Sequence, residues 1–160
     1  KIFAQGGLGK INDFKISPVI RQTLLHWGLE ITEDVLIKDK ELAFDYLSKL
    51  RETGVRISID DFGTGYSSLA YFKHIPADEL KIDRAFIGSM LTDQGSKNIV
   101  KLIIDLAYSF NPDVVAEGVE DQATLDELTR MQCDYAQGFF IGKPMPADEY
   151  TEWLKTTAVK

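Results

Sequence analysis

Short apolar runs alternate with amphipathic segments five times along this chain, and this alternation limits the folds available to it. The apolar runs are rich in β-branched residues and too hydrophobic to leave one face in water, which is typical of buried strands. Strands that alternate with helices form parallel sheets covered by those helices. The sequence therefore predicts an α/β fold with strands near residues 28–33, 55–59, 79–83, 114–117 and 134–139.

The helices are predicted from capping residues and from apolar stripes with helical spacing. Ser17 followed by Pro18 is a typical helix start, and Asp121 is placed to cap the helix after the fourth strand. We predict helices from residue 17, at about 39–53, 67–73 and 96–110, from residue 121, and at about 147–156. The clearest stripe, in segment 96–110, contains Ile99, Leu102, Ile103, Leu106 and Phe110.

The composition excludes several classes of protein. The chain has 160 residues, the size of one domain, and 44% of them are hydrophobic, enough for a substantial core. A net charge of −7 argues against the binding of long nucleic acids, and no apolar run is long enough to span a membrane. Cys133 is the only cysteine, which rules out an intramolecular disulfide and fits a reducing compartment. With only two histidines, any metal is expected to be held by carboxylates, which favours magnesium, manganese or calcium.

Polar side chains stand at the end of each predicted strand. In parallel α/β folds, ligands bind at the carboxyl ends of the strands, so these residues are candidates for one site. Helix capping could explain one or two of them, but acids at four consecutive strand ends are harder to assign to capping. The candidates are Glu30 and Glu33, Asp60 and Asp61, Lys81 and Asp83, Glu117 and Glu120, and Gln137.

The adjacent pair Asp60 and Asp61 has two interpretations. Neighbouring residues of a regular strand point to opposite faces, but at a strand end the backbone can bend and bring both carboxylates to one cavity. Alternatively, the pair simply starts a turn, with Ser67 or Ser68 capping the next helix.

A cluster of carboxylates favours a bound metal. Carboxylates held together raise one another's pKa unless a cation compensates their charge. Two divalent ions bridged by a shared aspartate could bind the attacking water and the leaving oxygen of a phosphodiester. Lys81 would supply positive charge beside that water, and its alternative role is an ion pair with Asp83 on the same strand face.

Five motifs of this chain resemble, in order and spacing, those of the EAL-domain family. The motifs are Glu30-Ile-Thr-Glu33, Asp60-Asp-Phe-Gly-Thr-Gly-Tyr-Ser-Ser-Leu69, Leu80-Lys-Ile-Asp83, Ala116-Glu-Gly-Val-Glu120 and Gln137-Gly138. The resemblance implies a TIM-barrel-like (βα) fold and a bacterial cytoplasmic phosphodiesterase. Such an enzyme uses Mg²⁺ or Mn²⁺ to convert cyclic di-GMP to linear pGpG.

The resemblance also implies a role for each matching residue. Glu30 and Asp60 match ligands of one metal, whereas Asp60, Asp61 and Glu117 match ligands of the second. Lys81 matches the lysine that contacts the nucleophilic water, Gln137 a glutamine lining the site, and Asp83 and Glu120 acids around it. Glu33 matches the glutamate that anchors a substrate-binding and regulatory loop, here residues 62–69 with Phe62, Gly63, Thr64 and Gly65.

The chain departs from the family pattern at its front. Residues 29–160 match the pattern, whereas residues 1–28 are atypical and have no Glu-Ala-Leu strand and no clear counterpart of the metal-binding asparagine. Asn12 is the only candidate substitute, and its distance from Glu30 is short. Because a complete barrel usually needs about 200 residues or more, we expect a single N-terminally truncated EAL domain with about five βα units. The first residue is Lys1 rather than methionine, which suggests a processed product or a piece of a longer protein.

Two further expectations follow from this departure. An incomplete sheet exposes edges and an apolar face, which predicts a homodimer or a domain-swapped assembly. Loss of two ligands would weaken the first metal site. The chain therefore has two alternatives to a catalytic function. One is a non-catalytic EAL module that binds cyclic di-GMP or a protein partner in signalling, and the other is a fragment that depends on a missing partner.

Overall fold

Five parallel strands form one sheet in which every strand lies beside its successor in the sequence. The computed structural model describes residues 28–33, 40–65 and 73–157. Consecutive parallel strands require crossover connections, and described helices lie in three of the four connections. This arrangement confirms the predicted α/β fold with a parallel sheet. The strands are β1 (Leu29–Thr32), β2 (Ile57–Phe62), β3 (Glu79–Ile82), β4 (Asp113–Glu117) and β5 (Tyr135–Gln137).

Five helices are described, and four of them match predicted segments. The helix predicted from residue 17 lies outside the described residues, and of the helix predicted at 67–73 only Lys73 is described, in a turn. One six-residue helix, between β3 and the longest helix, was not predicted, because so short a segment carries little periodic signal. The helices are α1 (Lys40–Glu52), α2 (Arg84–Ser89), α3 (Gln94–Phe110), α4 (Gln122–Arg130) and α5 (Ala147–Thr157).

The two faces of the sheet differ in chemistry. Alternate strand residues such as Ile59, Leu80 and Val114 belong to a hydrophobic core that also contains residues of the helices. The intervening residues, including Asp60 and Lys81, point to the opposite face because side chains alternate along a strand. We call this opposite face the inner face. The buried strand residues that belong to this core are Ile31, Ile57, Ile59, Phe62, Leu80, Ile82, Val114 and Ala116.

The stripe predicted for α3 is only partly buried. Ile103 lies in the core, but Leu102 and Phe110 are exposed, with 54% and 41% of their surface accessible, so their predicted burial was wrong. The buried face of α3 instead contains Val100, Ile103, Ile104 and Ala107. The true stripe is rotated because small Ala107, rather than Phe110, approaches the sheet.

Strand β2 continues further than predicted. It includes both aspartates and ends at Phe62, and its pairing with β3 shifts register between Ile59 and Phe62. Asp61 lies at this irregularity with a φ of +55°, in the left-handed region. Such a bulge re-aims a side chain without ending the strand. Phe62 is 6% exposed and belongs to the core, so the loop that follows begins at Gly63 rather than at Phe62.

Strand β5 is shorter than the predicted segment 134–139, and it forms one edge of the sheet. The chain turns at Gly138, where an added Cβ would lie 2.1 Å from the Val119 carbonyl oxygen. Among the described residues, the outer edges of β1 and β5 have no neighbouring strand. No described helix combines the length and the hydrophobicity needed to cross a membrane.

Candidate active site

Lys81 lies at the centre of an acidic cluster on the inner face of the sheet. Its side chain is 5% exposed, and its Nζ is 3.1 Å from Asp60 Oδ1 and 3.4 Å from Glu30 Oε1. The same ammonium forms an ion pair with Glu117. Strands β1, β2, β3 and β4 therefore each contribute one member of a single charged cluster. We call Glu30, Asp60, Lys81 and Glu117 the lysine cluster.

The electrostatics of the lysine cluster are dominated by negative charge. Burial alone would lower the pKa of Lys81, but hydrogen bonds and charges from Glu117 and Asp60 outweigh it and raise that pKa well above its usual range. The ammonium is therefore retained. One positive charge faces three carboxylates, so the cluster has an excess of negative charge that an additional cation could compensate.

Asp61 extends the acidic region beyond the lysine cluster. Burial, a hydrogen bond with Asp83 and the charges of Asp60, Asp83 and Glu117 raise the pKa of Asp61. The left-handed backbone of Asp61 allows it to face Asp83 while the adjacent Asp60 contacts Lys81. Both aspartates belong to β2, and a turn also starts at Asp61, whose carbonyl oxygen accepts a hydrogen bond from Thr64 N at 3.4 Å.

Asp83 lies beside Asp61 and also caps a helix. Its Oδ1 accepts a hydrogen bond of 2.7 Å from the backbone N–H of Ala85 and so caps α2. The ion-pair partners of Lys81 are Glu30, Asp60 and Glu117. The alternative in which Lys81 merely pairs with Asp83 is therefore wrong.

Glu33 is buried directly after β1 and bonds to the loop that follows β2. It is 2% exposed, and its Oε2 accepts hydrogen bonds from the backbone N–H groups of Gly63 at 3.0 Å and Gly65 at 3.1 Å. A Cβ on Gly65 would lie 2.8 Å from the Glu33 carboxylate, so a larger residue there would displace it. Thr64 Oγ1 donates to the Asp61 carbonyl oxygen at 2.8 Å. Residues 66–69 of the predicted loop lie outside the described residues.

The remaining two candidates lie beside the lysine cluster rather than in it. Gln137 ends β5 in register with Glu117, and its side chain is exposed. Glu120 is exposed and lines a depression together with Arg84 and Gly118. The structure thus brings the candidates together at one end of the sheet. The lysine cluster is central, and the other candidates lie around it.

Comparison with known proteins assigns the chain to a family. The sequence matches the family model of the EAL domain over residues 16–144. The chain belongs to the EAL-domain family. The match covers the lysine cluster, Glu33, Asp61, Asp83, Glu120 and Gln137.

One relative, matched both as a sequence and as a solved structure, illustrates what this EAL domain is similar to. The bifunctional diguanylate cyclase/cyclic di-GMP phosphodiesterase MucR of Pseudomonas aeruginosa is 48% identical over 124 residues, which cover 78% of this chain and 18% of MucR. The solved structure of the MucR phosphodiesterase in complex with c-di-GMP has a TM-score of 0.76 and 42% identity, covering 90% of this chain and 62% of that one. These neighbours confirm a TIM-barrel-like EAL fold.

A second similar protein was solved with a metal. The manganese and cyclic di-GMP complex of Klebsiella pneumoniae BlrP1 has a TM-score of 0.69 and 28% identity, covering 79% of this chain and 34% of that one. This EAL domain spans only 16% to 20% of the length of the curated relatives it matches.

The donor chemistry of this EAL domain fits a hard divalent cation. Glu30, Asp60, Asp61 and Glu117 offer carboxylate oxygens, the ligands that Mg²⁺ and Mn²⁺ prefer. Burial raises the pKa of Asp61 first, and the neighbouring carboxylates, whose negative charge a cation would offset, raise it further. In the described part of the chain, however, no three carboxylate, imidazole or thiol groups converge closely enough to form a finished metal site. Three of the carboxylates instead lie around the Lys81 ammonium at ion-pair distances.

One residue beside the site was missed in the sequence. Arg84 was not a candidate because α2 was not predicted, so the residue appeared to lie in an undefined connection. The signal that could have found it is Asp83, a typical helix-capping residue placed directly before Arg84.

Proposed function

We propose that this EAL domain hydrolyses cyclic di-GMP to linear pGpG with Mg²⁺ or Mn²⁺ as its cofactor. The observation that carries the proposal is the lysine cluster, in which four neighbouring strands bring three carboxylates to one buried ammonium. The similarity to MucR supports cyclic di-GMP as the substrate. We propose the bacterial cytoplasm as the compartment, because Cys133 is a free thiol and suits a reducing environment.

Each residue of the site has a proposed role in this hydrolysis. Glu30 and Asp60 would hold one divalent ion, and Asp60, Asp61 and Glu117 the other. Such ions, when bound, polarise a phosphodiester and lower the pKa of a bound water. Lys81 would orient the attacking water through its donor hydrogens and stabilise the negative charge that develops. The water oxygen forms a new bond to phosphorus and loses a proton, one bridging P–O bond breaks, and the leaving ribose oxygen takes a proton to become a hydroxyl group.

The surrounding residues would position the substrate and the loop. Asp83, Glu120 and Gln137 flank the lysine cluster and are proposed to contact the substrate or to orient the central carboxylates. Glu33 would fix the start of the loop through Gly63 and Gly65, because a buried carboxylate with two backbone donors is difficult to displace. We propose that this loop, including Thr64, takes part in substrate binding and regulation, and that the buried Phe62 fixes its start in the core.

A second function is favoured by a specific observation. Lys81 already compensates part of the charge of the central carboxylates, and the described residues form no finished metal site. An EAL module with this arrangement could bind cyclic di-GMP, or a protein partner, without hydrolysing it. We therefore retain a non-catalytic signalling module as the alternative.

We also propose that the domain assembles as a homodimer or a domain-swapped pair. Strands β1 and β5 present edges without a neighbouring strand among the residues described, and Tyr135 of β5 is 56% exposed. Exposed strand edges are templates for pairing with another chain.

One experiment separates the two functions. The protein is incubated with cyclic di-GMP and Mn²⁺, with an EDTA control, and the products are resolved chromatographically. Appearance of pGpG that EDTA abolishes supports the phosphodiesterase. Intact substrate together with calorimetrically measured binding supports the non-catalytic module, and the absence of both hydrolysis and binding would reject both functions that involve the dinucleotide.

A further inference from the structure

Two connections that follow neighbouring strands contact each other through their backbones beside the lysine cluster. They begin directly after β4 and β5, which end in register at Glu117 and Gln137. The N–H of Val119 donates to the Gln137 carbonyl oxygen at 3.1 Å, and the N–H of Phe140 donates to the Val119 carbonyl oxygen at 3.1 Å. Val119 is fully buried. We call this pair of hydrogen bonds the rim contact.

The rim contact requires a glycine at position 138. A Cβ on Gly138 would lie 2.1 Å from the carbonyl oxygen of Val119 and 2.3 Å from its backbone nitrogen. These backbone atoms cannot rotate away, and ordinary contacts between heavy atoms are about 3.5 Å or longer. A larger residue would therefore separate the two connections by more than about 1 Å. Such a separation would lengthen both hydrogen bonds beyond the usual range of about 2.7–3.2 Å.

Gly118 holds the same segment from its other side. It directly follows Glu117, and a Cβ there would lie 2.6 Å from the Cβ of Arg84, at the start of α2. Its φ of +78° is in the left-handed region, which favours glycine. The segment after Glu117 is therefore packed between the start of α2 and the connection that follows β5.

The position of Glu117 depends on the contacts on both sides of it. Before Glu117 the ladder between β4 and β5 fixes the backbone, and after it the rim contact does so. The Glu117 carboxylate forms an ion pair with Lys81. Gln137 is fixed in the same way, because its carbonyl oxygen is an acceptor in the rim contact. Separation of the connections would therefore displace both site residues.

We propose that Gly138 and Gly118 are positioning residues that fix the Glu117 carboxylate for metal binding, an inference that rests on the proposed function. Glycine has no side chain to offer a ligand, so both residues act through Glu117. The distance from a ligand atom to a metal ion is defined to within about 0.2 Å. A backbone displacement of about 1 Å exceeds this tolerance, and misplacement on that scale can reduce a rate by about 100-fold.

The test compares Mn²⁺ affinity and stability in the same variants. Free Mn²⁺ is followed by electron paramagnetic resonance while the metal is titrated into each protein without substrate, and urea unfolding gives the stability. Gly138→Ala and Gly118→Ala are the test variants. Gly142→Ala is the matched control, because its Cβ would approach Trp153 only to 3.6 Å, an ordinary contact. Val100→Ala is the stability control, because it removes buried methyl groups from α3.

We expect Gly142→Ala and Val100→Ala to bind Mn²⁺ as wild type does, although Val100→Ala should unfold at lower urea. Gly138→Ala should bind Mn²⁺ at least about tenfold more weakly. Its rate of pGpG formation should fall by about 100-fold. Gly118→Ala should change both quantities in the same direction but less, because its closest contact is with one side chain. That variant decides the outcome if Gly138→Ala fails to fold.

Two results would overturn the positioning role while leaving the proposed function intact. One is a wild-type Mn²⁺ affinity in both test variants. The other is an equal loss of affinity in Val100→Ala and Gly138→Ala, which would assign the effect to stability alone. If wild type binds Mn²⁺ but forms no pGpG, hydrolysis is rejected and the Mn²⁺ affinities alone decide the positioning role. If wild type binds no Mn²⁺, the proposed cofactor and the positioning role both fail.

Discussion

Lys81 partly compensates the negative charge of the carboxylates that surround it. Removal of one partner from a buried ion pair leaves uncompensated charge, which typically costs more than an exposed ion pair contributes. Glu30, Asp60 and Glu117 all depend on this one ammonium. The same residue is proposed to orient the attacking water, so this one side chain is expected to affect both stability and catalysis.

Replacement of Lys81 by methionine should therefore destabilise the metal-free protein. We expect Lys81→Met to lower the free energy of unfolding by about 3 kcal/mol, because three carboxylates lose their counter-charge. Mn²⁺ should restore more stability in the variant than it adds to wild type, since the ion replaces the missing charge. Urea unfolding with and without Mn²⁺ measures both effects.

Lys101→Met is the matched control for that experiment. Lys101 pairs with Asp105 on the exposed surface of α3, and such pairs contribute about 0–1 kcal/mol. Equal stabilities for Lys81→Met and Lys101→Met would contradict the central role of Lys81.

The partners of Lys81 were only partly predictable from the sequence. The position of Lys81 at a strand end, among acids of neighbouring strands, follows from strand alternation and parallel topology. The choice of Glu30 and Glu117 over Asp83 depends on the register of four strands and on the capping of α2, neither of which appears in local sequence. The side chains of Asp60 and Asp61 have different partners because Asp61 has a left-handed backbone, which local sequence does not reveal either.

At the scale of elements, two exposed aspartates begin the helices that cover the sheet. Asp93 caps α3 by accepting from Ser96 N at 2.7 Å, and Asp121 caps α4 by accepting from Thr124 N at 2.7 Å. These hydrogen bonds are the largest causes that lower the pKa of each carboxyl group. The cap at Asp121 was predicted from the sequence, because capping is encoded within one helical turn.

The capping contribution of Asp121 should depend on pH. Its pKa is lower in the folded state, so the folded state prefers the carboxylate. The stabilisation is therefore fully present above the unfolded pKa of about 3.9 and is lost as the pH falls through the lower folded pKa. Asp121→Ala should lower the urea midpoint at pH 7, and its deficit relative to wild type should shrink on acidification.

Asp121→Asn provides the comparison for this titration. Asparagine also caps helices but does not ionise, so its midpoint should decline less on acidification than that of wild type. A deficit of Asp121→Ala that is the same at pH 7 and pH 3 would rule out the carboxylate as the source of the stabilisation.

At the scale of the whole molecule, the order of strands was more predictable than the closure of the sheet. The alternation of strands with helices is sufficient to indicate a parallel sheet, and residues such as Leu80 and Val114 occupy the core as their periodicity requires. Closure depends on which surfaces meet the edges at β1 and β5. That is a question of long-range pairing, which no local pattern in this chain encodes.

The proposed assembly gives a prediction at this scale. Size-exclusion chromatography with multi-angle light scattering should give about twice the 18.0 kDa mass of the chain, because pairing covers the strand edges. A single 18.0 kDa species with a cooperative thermal transition would show that the domain is stable without a partner.

The most direct test of the central claim is the initial rate of pGpG formation from cyclic di-GMP with Mn²⁺, measured for wild type and two Asp→Asn variants. Asp61→Asn removes a proposed metal-holding carboxylate, whereas Asp105→Asn removes an exposed one on α3. We expect hydrolysis by wild type and by Asp105→Asn, and a rate at least about 100-fold lower for Asp61→Asn. Equal rates for wild type and Asp61→Asn, or no pGpG from wild type, would contradict it.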